Sequence, residues 1–248
     1  MAEPLIVEMA RVSAPANAKN TTTSPRLLSY LIKHKHWSPF EMASMCLEIH
    51  TTRGISPQIL RHRSFSFQEF SQRYANTNAI GNAVVPHLRS QDTKNRQNSN
   101  DDLVEKIGKS KLAEYYRRTS CLFEDAEHLY QEMISAGIAK ESARFILPLA
   151  SPTKLFMSGT LRSWMHYIDL RTANGTQQEH KEIADACKVI FTKQFPIISQ
   201  SMWPNEKSSS CWVKVWQMWC VIYTSTMATQ EQSKTRSCKD VLLNCLCI

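Results

Sequence analysis

The sequence predicts an α+β fold: a small, mainly antiparallel sheet packed with several helices. Three observations carry this reading. One run, Leu112 to Met133, keeps apolar residues at three-and-four spacing over several turns. Two more segments repeat that spacing near residues 161–168 and 183–191. Against this much helix, only Met42 to Thr52 alternates cleanly in the manner of a half-buried strand.

Taken in order, the first element is a helix over Pro25 to Lys35. Leu27, Leu28, Leu31 and Ile32 share one face, with Ser24 as N-cap and Pro25 at the first helical position. In the strand that follows, Met45, Leu47 and Ile49 point one way and Cys46, Glu48 and His50 the other. Ser56-Pro57 reads as a second cap-plus-proline start, opening a short helix through Ile59 and Leu60 into Arg61. Residues 81–101 are crowded with Asn, Gln, Asp and Ser and read as a surface loop. Asp101 and Asp102 then begin the long helix, which includes Tyr115, Thr119, Leu122, Phe123, Ala126, Leu129 and Tyr130 and stops at Gly137. Leu161, Trp164, Met165 and Ile168 mark the next helix. Thr176-Gln177-Gln178-Glu179 fits a capping box for the last, through Ile183, Cys187, Ile190 and Phe191.

From about Pro204 the composition changes. Four of six tryptophans and five of eight cysteines lie at Trp203 or beyond, and no steady period extends past Trp212, Trp216 and Trp219. The chain therefore divides into a main unit over 1–204 and an extension over 205–248 of unknown role, read as an appendage.

Composition excludes several classes. Six glycines include neither G-x-G-x-x-G nor G-x-x-x-x-G-K-[ST], so any nucleotide phosphate must be gripped by side chains. The cysteines show no C-x-x-C, and no histidine completes a zinc pattern, so no metal site is expected. No apolar run is long enough to span a membrane. The start, MAEPLIVEMAR, lacks the basic and apolar regions of a signal peptide, so the expected compartment is the reducing cytoplasm. Thirty Lys+Arg against 22 Asp+Glu leave a net charge of +8, which favours an anionic partner.

The densest cluster of functional side chains is the run from Arg61 to Tyr74, with three arginines, His62, Gln68, Glu69 and three serines. Guanidinium forks match phosphate oxygens, hydroxyls add donors, and Gln68 or Glu69 could read a sugar hydroxyl or a base edge. Charge runs are usually solvated. Here Phe65, Phe67, Phe70 and Tyr74 are interleaved and need burial, which draws the arginines toward a partly desolvated site where an anion must meet them.

This stretch resembles the signature of the flavin-dependent thymidylate synthases, R-H-R-x-x-S-x-[NQ]-x-x-S-x-R-Y, with every fixed position filled by Arg61, His62, Arg63, Ser66, Gln68, Ser71, Arg73 and Tyr74. The likeness extends to His36–Glu41, to Arg144–Pro148, to Leu161–Arg171, and to Gln177 and Glu179, in matching order from about residue 10 to 200.

The resemblance implies an enzyme that makes dTMP from dUMP, with methylenetetrahydrofolate as carbon donor and FAD, reduced by NADPH, as hydride source. It implies a homotetramer with shared active sites. For FAD it implies Ser38, Glu41, Arg61, His62, Arg63, Glu69, Thr160, Leu161, Arg162 and His166. For dUMP it implies Gln58, Ile59, Leu60, Arg61, Glu69, Phe70, Ser71, Gln72, Arg73, Arg144 and Arg171. Arg171 corresponds to the arginine that polarises uracil. Standing alone, it would read as a cation at a helix C-terminus. The family reading needs no enzyme nucleophile, and no cysteine falls at a functional position. The resemblance also implies a strand ahead of Ala10–Ser13 that is shortened or absent here, since only nine residues precede that element.

Two rival readings remain. A catalytically impaired relative would keep flavin without dUMP chemistry. A basic nucleic-acid-binding module would show a charged stripe, whereas here Glu41, Glu69 and Glu179 lie among the arginines, as in a pocket.

Overall fold

The computed structural model describes residues 2–17, 20, 22–204 and 220–221. The extension read from the sequence at 205–248, with Trp212, Trp216 and Trp219, lies outside the described residues except for Cys220 and Val221.

The centre is a pair of nine-residue antiparallel strands, β1 (Ser44–Thr52) and β5 (Pro152–Thr160), in register from Ser44 opposite Thr160 to Thr52 opposite Pro152. Short β2 (Ser66–Glu69) pairs with β5, and β6 (Cys220–Val221) pairs with β1, giving the order β2-β5-β1-β6. A separate two-residue hairpin, β3 (Ser90–Gln91) with β4 (Ser99–Asn100), folds back within the polar loop predicted at 81–101.

The expected alternation is present. Met45, Leu47 and Ile49 are buried, and so are Leu155 and Met157 opposite them. Residues directly opposite in an antiparallel pair share a face, so the two strands present one apolar surface. Helix α7 (Leu161–Thr172) packs directly onto it, and α8 (Gln178–Gln194), α9 (Pro196–Met202), α2 (Ser24–Lys33) and α1 (Ala2–Ala10) join it in one continuous core. Trp164 on α7 is fully buried, and its indole N–H donates to the Met45 carbonyl at 2.8 Å. That bond satisfies the one polar atom of the largest core side chain and fixes α7 across β1. Gly159 is needed beside it. A Cβ there would lie 2.4 Å from the Phe65 ring, which packs edge-on to Trp164.

The remaining helices are α3 (Ser56–Leu60), α4 (Leu103–Ile107), α5 (Lys109–Ser135) and α6 (Lys140–Ala143). The mixed architecture and the small antiparallel sheet agree with the sequence reading, but three local expectations need correction. Ahead of Ala10–Ser13, where the resemblance implies a strand that is shortened or absent, the described residues form the helix α1 instead; Ile6 and Val7 drive it into the core. Its Glu3 carboxylate reaches the other end of the unit and accepts from the Ile198 N–H of α9 at 2.9 Å. The helix predicted at Ser24 has Thr23, not Ser24, as its cap.

The long helix is interrupted at Gly108, whose φ of 79° suits glycine and ends α4 before α5 begins. Only Tyr130 of α5 is buried; Tyr115, Leu122 and Leu129 are exposed, so its apolar stripe has no cover within the described residues of one chain. The capping box at Thr176 does not form. Gln177 is the N-cap, and Glu179 instead binds Arg89 at 2.6 Å and the Gln177 amide at 3.0 Å. An ion pair to a side chain from the distant loop outcompetes a local backbone bond.

Candidate functional site

The Arg61–Tyr74 run lies against the end of the sheet. The main chain turns just after α3: the His62 N–H bonds to the Ile59 carbonyl, and the Phe65 N–H to that of His62. This turn points His62 and Phe65 inward and leaves Arg61 and Arg63 exposed. Neither arginine makes an ion pair or side-chain hydrogen bond among the described residues.

His62 meets Arg171 at the C-terminal end of α7. The Arg171 Nε–H donates to His62 Nε2 at 2.9 Å. Burial first, and the Arg171 charge second, hold the His62 imidazole down at about 4. It is therefore neutral at ordinary pH and offers a lone pair to the arginine. The rest of the guanidinium carries no other hydrogen bond among the described residues.

Glu69, at the end of β2, is a second centre. Its Oε1 accepts from Arg53 Nη1 at 2.6 Å, Ser56 Oγ at 2.6 Å and Thr153 Oγ1 at 3.0 Å. One oxygen thus ties β2 to β5 and to the β1–α3 turn. All of these bonds fall on Oε1, which leaves Oε2 without a partner among the described residues.

A third group lies at the N-terminal end of α7. Thr160 caps the helix, its Oγ1 accepting from the Ser163 N–H. The Ser163 hydroxyl donates to the Ser64 carbonyl at 3.2 Å, joining α7 to the arginine turn. Arg162 forms an ion pair with Glu41, which follows exposed Ser38 in a single 3₁₀ turn. Exposed His166 packs its ring against Trp37 at 5.0 Å.

The remaining residues are gathered around α6. Arg73 pairs with Glu141 at 3.1 Å, and Lys140 donates to the Tyr74 carbonyl. Arg144 follows immediately and lies over the Phe145 ring. Ser71 is exposed and its carbonyl accepts from the Tyr74 and Ala75 N–H groups; the Phe70 N–H bonds to Lys154.

One chain thus joins Arg171 to His62, and Glu69 to the start of α3 where Gln58 lies. It shows no bond from these to Arg73, Arg144 or Glu41. Three of the expected residues are internal. Ile59 and Leu161 are fully buried, so only their main chain can face a ligand, and Gln72 is buried with its Nε2 unpartnered. Sequence reasoning missed Arg53 and Thr153, the donors that hold Glu69, and read Ser56 only as a cap. It also missed buried His180, whose placement at the start of α8 gave no periodic signal.

His180 is likewise held at about 4, by burial, then Arg171, then His62. The sign for stability follows. The unfolded chain takes up protons on these imidazoles below about 6.5, while the folded chain resists until about 4. Stability from the pair is complete above 6.5 and is lost as pH falls toward 4. The loss is on the order of 2 kcal/mol per imidazole after solvent screening. Thermal midpoints measured across that window should fall steadily; a flat profile would mean that the imidazoles are not buried as neutral rings.

The geometry defines a mixed α+β protein with an arginine-rich turn beside the edge strand β2 of its sheet. Comparisons with known proteins narrow the class. The family model described as thymidylate synthase complementing protein matches residues 1–197. The chain is 52% identical over 202 residues to a probable flavin-dependent thymidylate synthase of Paramecium bursaria Chlorella virus 1, covering 81% of this chain and 90% of that one. It is 48% identical over 200 residues to a flavin-dependent thymidylate synthase of Synechocystis sp., covering 81% and 89%. Among solved structures it resembles a UMP/dUMP methylase, PolB, from Streptomyces cacaoi bound with 5-Br dUMP: TM-score 0.68, 27% identity, 80% of this chain and 89% of that chain covered. The chain belongs to the flavin-dependent thymidylate synthase family.

Proposed function

We propose that this chain is a flavin-dependent thymidylate synthase that converts dUMP to dTMP, with residues 1–204 as its catalytic unit. The Arg171–His62 pair at the mouth of the arginine turn carries the reading. FAD, recharged by NADPH, would supply the hydride, and methylenetetrahydrofolate the carbon.

The donor set fits an anionic, ring-bearing cofactor. Arg61 and Arg63 offer unpaired guanidinium groups, Arg162 and Glu41 a polar rim, and His62 and His166 ring surfaces. Ser38, Glu69, Thr160 and the Leu161 main chain complete this group. The dUMP side would be formed by Gln58, the Ile59 and Leu60 main chain, Arg61 and the run from Glu69 to Arg73. Arg144 would complete the phosphate grip.

An arginine remains charged at any working pH and cannot act as an ordinary base. Arg171 is instead suited to stabilise negative charge developing on the uracil ring. Neutral His62 orients it by accepting from Nε, without adding a second positive charge. Glu69, fixed through Oε1, keeps Oε2 for a ligand donor.

The separation of the Arg73–Glu141 group from Arg171 within one chain, together with the uncovered stripe of α5, supports a homotetramer in which subunits share sites. No helix among the described residues is long and apolar enough to cross a membrane.

The deciding measurement is the visible spectrum of the purified protein with FAD. The flavin band should bleach on anaerobic NADPH and return with dTMP formed when dUMP and methylenetetrahydrofolate are added. Bound flavin with no response to dUMP would indicate an impaired relative. Failure to bind flavin at all would defeat the assignment.

A further inference from the structure

We propose that His180 is a positioning residue, which anchors the Gln58 side-chain oxygen in the dUMP site and supports the ring of Tyr167 behind the Arg171–His62 pair. The proposal rests on the functional reading above, because it assigns no new ligand and acts through residues of that site.

The observation is a hydrogen-bond chain whose direction is fixed from one end. The Glu179 carboxylate can only accept. It takes Arg89 Nη2 on Oε1 at 2.6 Å and Gln177 Nε2 on Oε2 at 3.0 Å. With its amide nitrogen so used, Gln177 presents Oε1, which accepts from Gln58 Nε2 at 2.6 Å. Gln58 in turn presents Oε1 to His180 Nδ1 at 3.3 Å. A carbonyl oxygen cannot donate, so the proton of this imidazole is on Nδ1. Nε2 is then bare and accepts from the Tyr167 hydroxyl at 3.1 Å. Each amide and ring in the series has one allowed orientation, and a carboxylate on the partly exposed edge selects the tautomer of a histidine with no exposed surface.

The chain ends at the reaction centre. The Tyr167 ring meets the His62 ring edge-on at 4.9 Å, and His62 holds Arg171. His180 thus connects α8 both to Gln58 on α3 and to the imidazole that orients the proposed uracil-facing guanidinium. Without it, the Gln58 oxygen loses its donor, and the amide is anchored only at its other end, through Nε2 on Gln177 Oε1. Gln177 also borders a polar cleft of about 330 Å³ with Asn98 and Lys181, so water reaches one end of the series and not the other.

The test is steady-state dTMP formation by the FAD-loaded enzyme, with kcat and the KM for dUMP measured separately. His180→Leu fills similar volume but removes both bonds. It should raise the KM for dUMP about tenfold, change kcat by less than about threefold and leave flavin binding intact. His180→Asn places an amide N–H near the Nδ1 position and should return the KM to within about threefold of native. His180→Gln restores only the Tyr167 side and should resemble His180→Leu. This polar pair gives the same comparison if the leucine variant does not fold. A native KM in folded, flavin-bearing His180→Leu, or equal KM values for the Asn and Gln variants, overturns the positioning role alone. A native chain that neither binds dUMP nor forms dTMP overturns the functional reading and this inference together.

Discussion

Arg171→Ala should yield a folded, flavin-bearing protein whose dTMP formation is lower by at least about 10²-fold. That is the usual scale when one preorganised group facing a developing charge is removed. Folding should survive because Arg171 is partly exposed and its one side-chain hydrogen bond among the described residues, to His62 Nε2, is a single link at the end of α7. Two further consequences separate catalysis from packing. Loss of the nearby cation removes one of the two causes that hold His62 low and one of the three that hold His180 low, so both imidazoles should titrate closer to 6.5 in the variant. Arg171→Lys should keep the charge but not the planar fork, and should recover only part of the rate. Comparable dTMP formation by native and alanine enzymes at saturating dUMP would remove Arg171 from the chemistry and return it to the role of a helix-terminal cation.

What could be read in the sequence follows physical locality. The alternation through Met45, Leu47 and Ile49 identified β1 because a half-buried strand has no other way to place its apolar atoms. The R-H-R run marked a candidate site because closely spaced arginines among aromatics have few bland explanations. Choices settled by distant partners were not legible. The Thr176 box lost to Arg89, which approaches α8 from the hairpin loop some 90 positions earlier in the chain. The N-terminal helix is set by burial of Ile6 and Val7 against later elements, and by Glu3 meeting α9. Neither partner is visible from the first ten residues.

The same limit explains α5. Its three-and-four spacing predicted a helix correctly, since the periodicity belongs to the segment itself. The burial of that stripe belongs to whatever covers it, and the described residues of one chain do not supply a cover for Tyr115, Leu122 and Leu129. His180 is the clearest omission at the site. A lone histidine after Gln177-Gln178-Glu179 reads as a helix residue like any other; only the folded chain brings Gln58 and Tyr167 to its two nitrogens.

Glu69 carries the second large expectation, and two substitutions divide its roles. Glu69→Ala leaves Arg53 without its carboxylate and strands two hydroxyls, those of Ser56 and Thr153, both of which are buried. Each unsatisfied buried donor costs about 1–3 kcal/mol, and they do not add fully because they share one acceptor. A total of about 3 kcal/mol is expected, equivalent to a fall of roughly 6–12 °C in thermal midpoint for a unit of this size. Glu69→Gln has the same shape and keeps one carbonyl oxygen for the hydroxyls, so most of that stability should remain. The charge is lost, however, and so is the second carboxylate oxygen, which has no partner among the described residues. If Oε2 receives a donor from dUMP or the flavin, the glutamine variant should show about a tenfold higher KM for dUMP, or weakened FAD binding, in a protein that melts near the native temperature. Native kinetics in Glu69→Gln would confine the residue to clamping β2, β5 and the start of α3, and the free oxygen would have no ligand to meet.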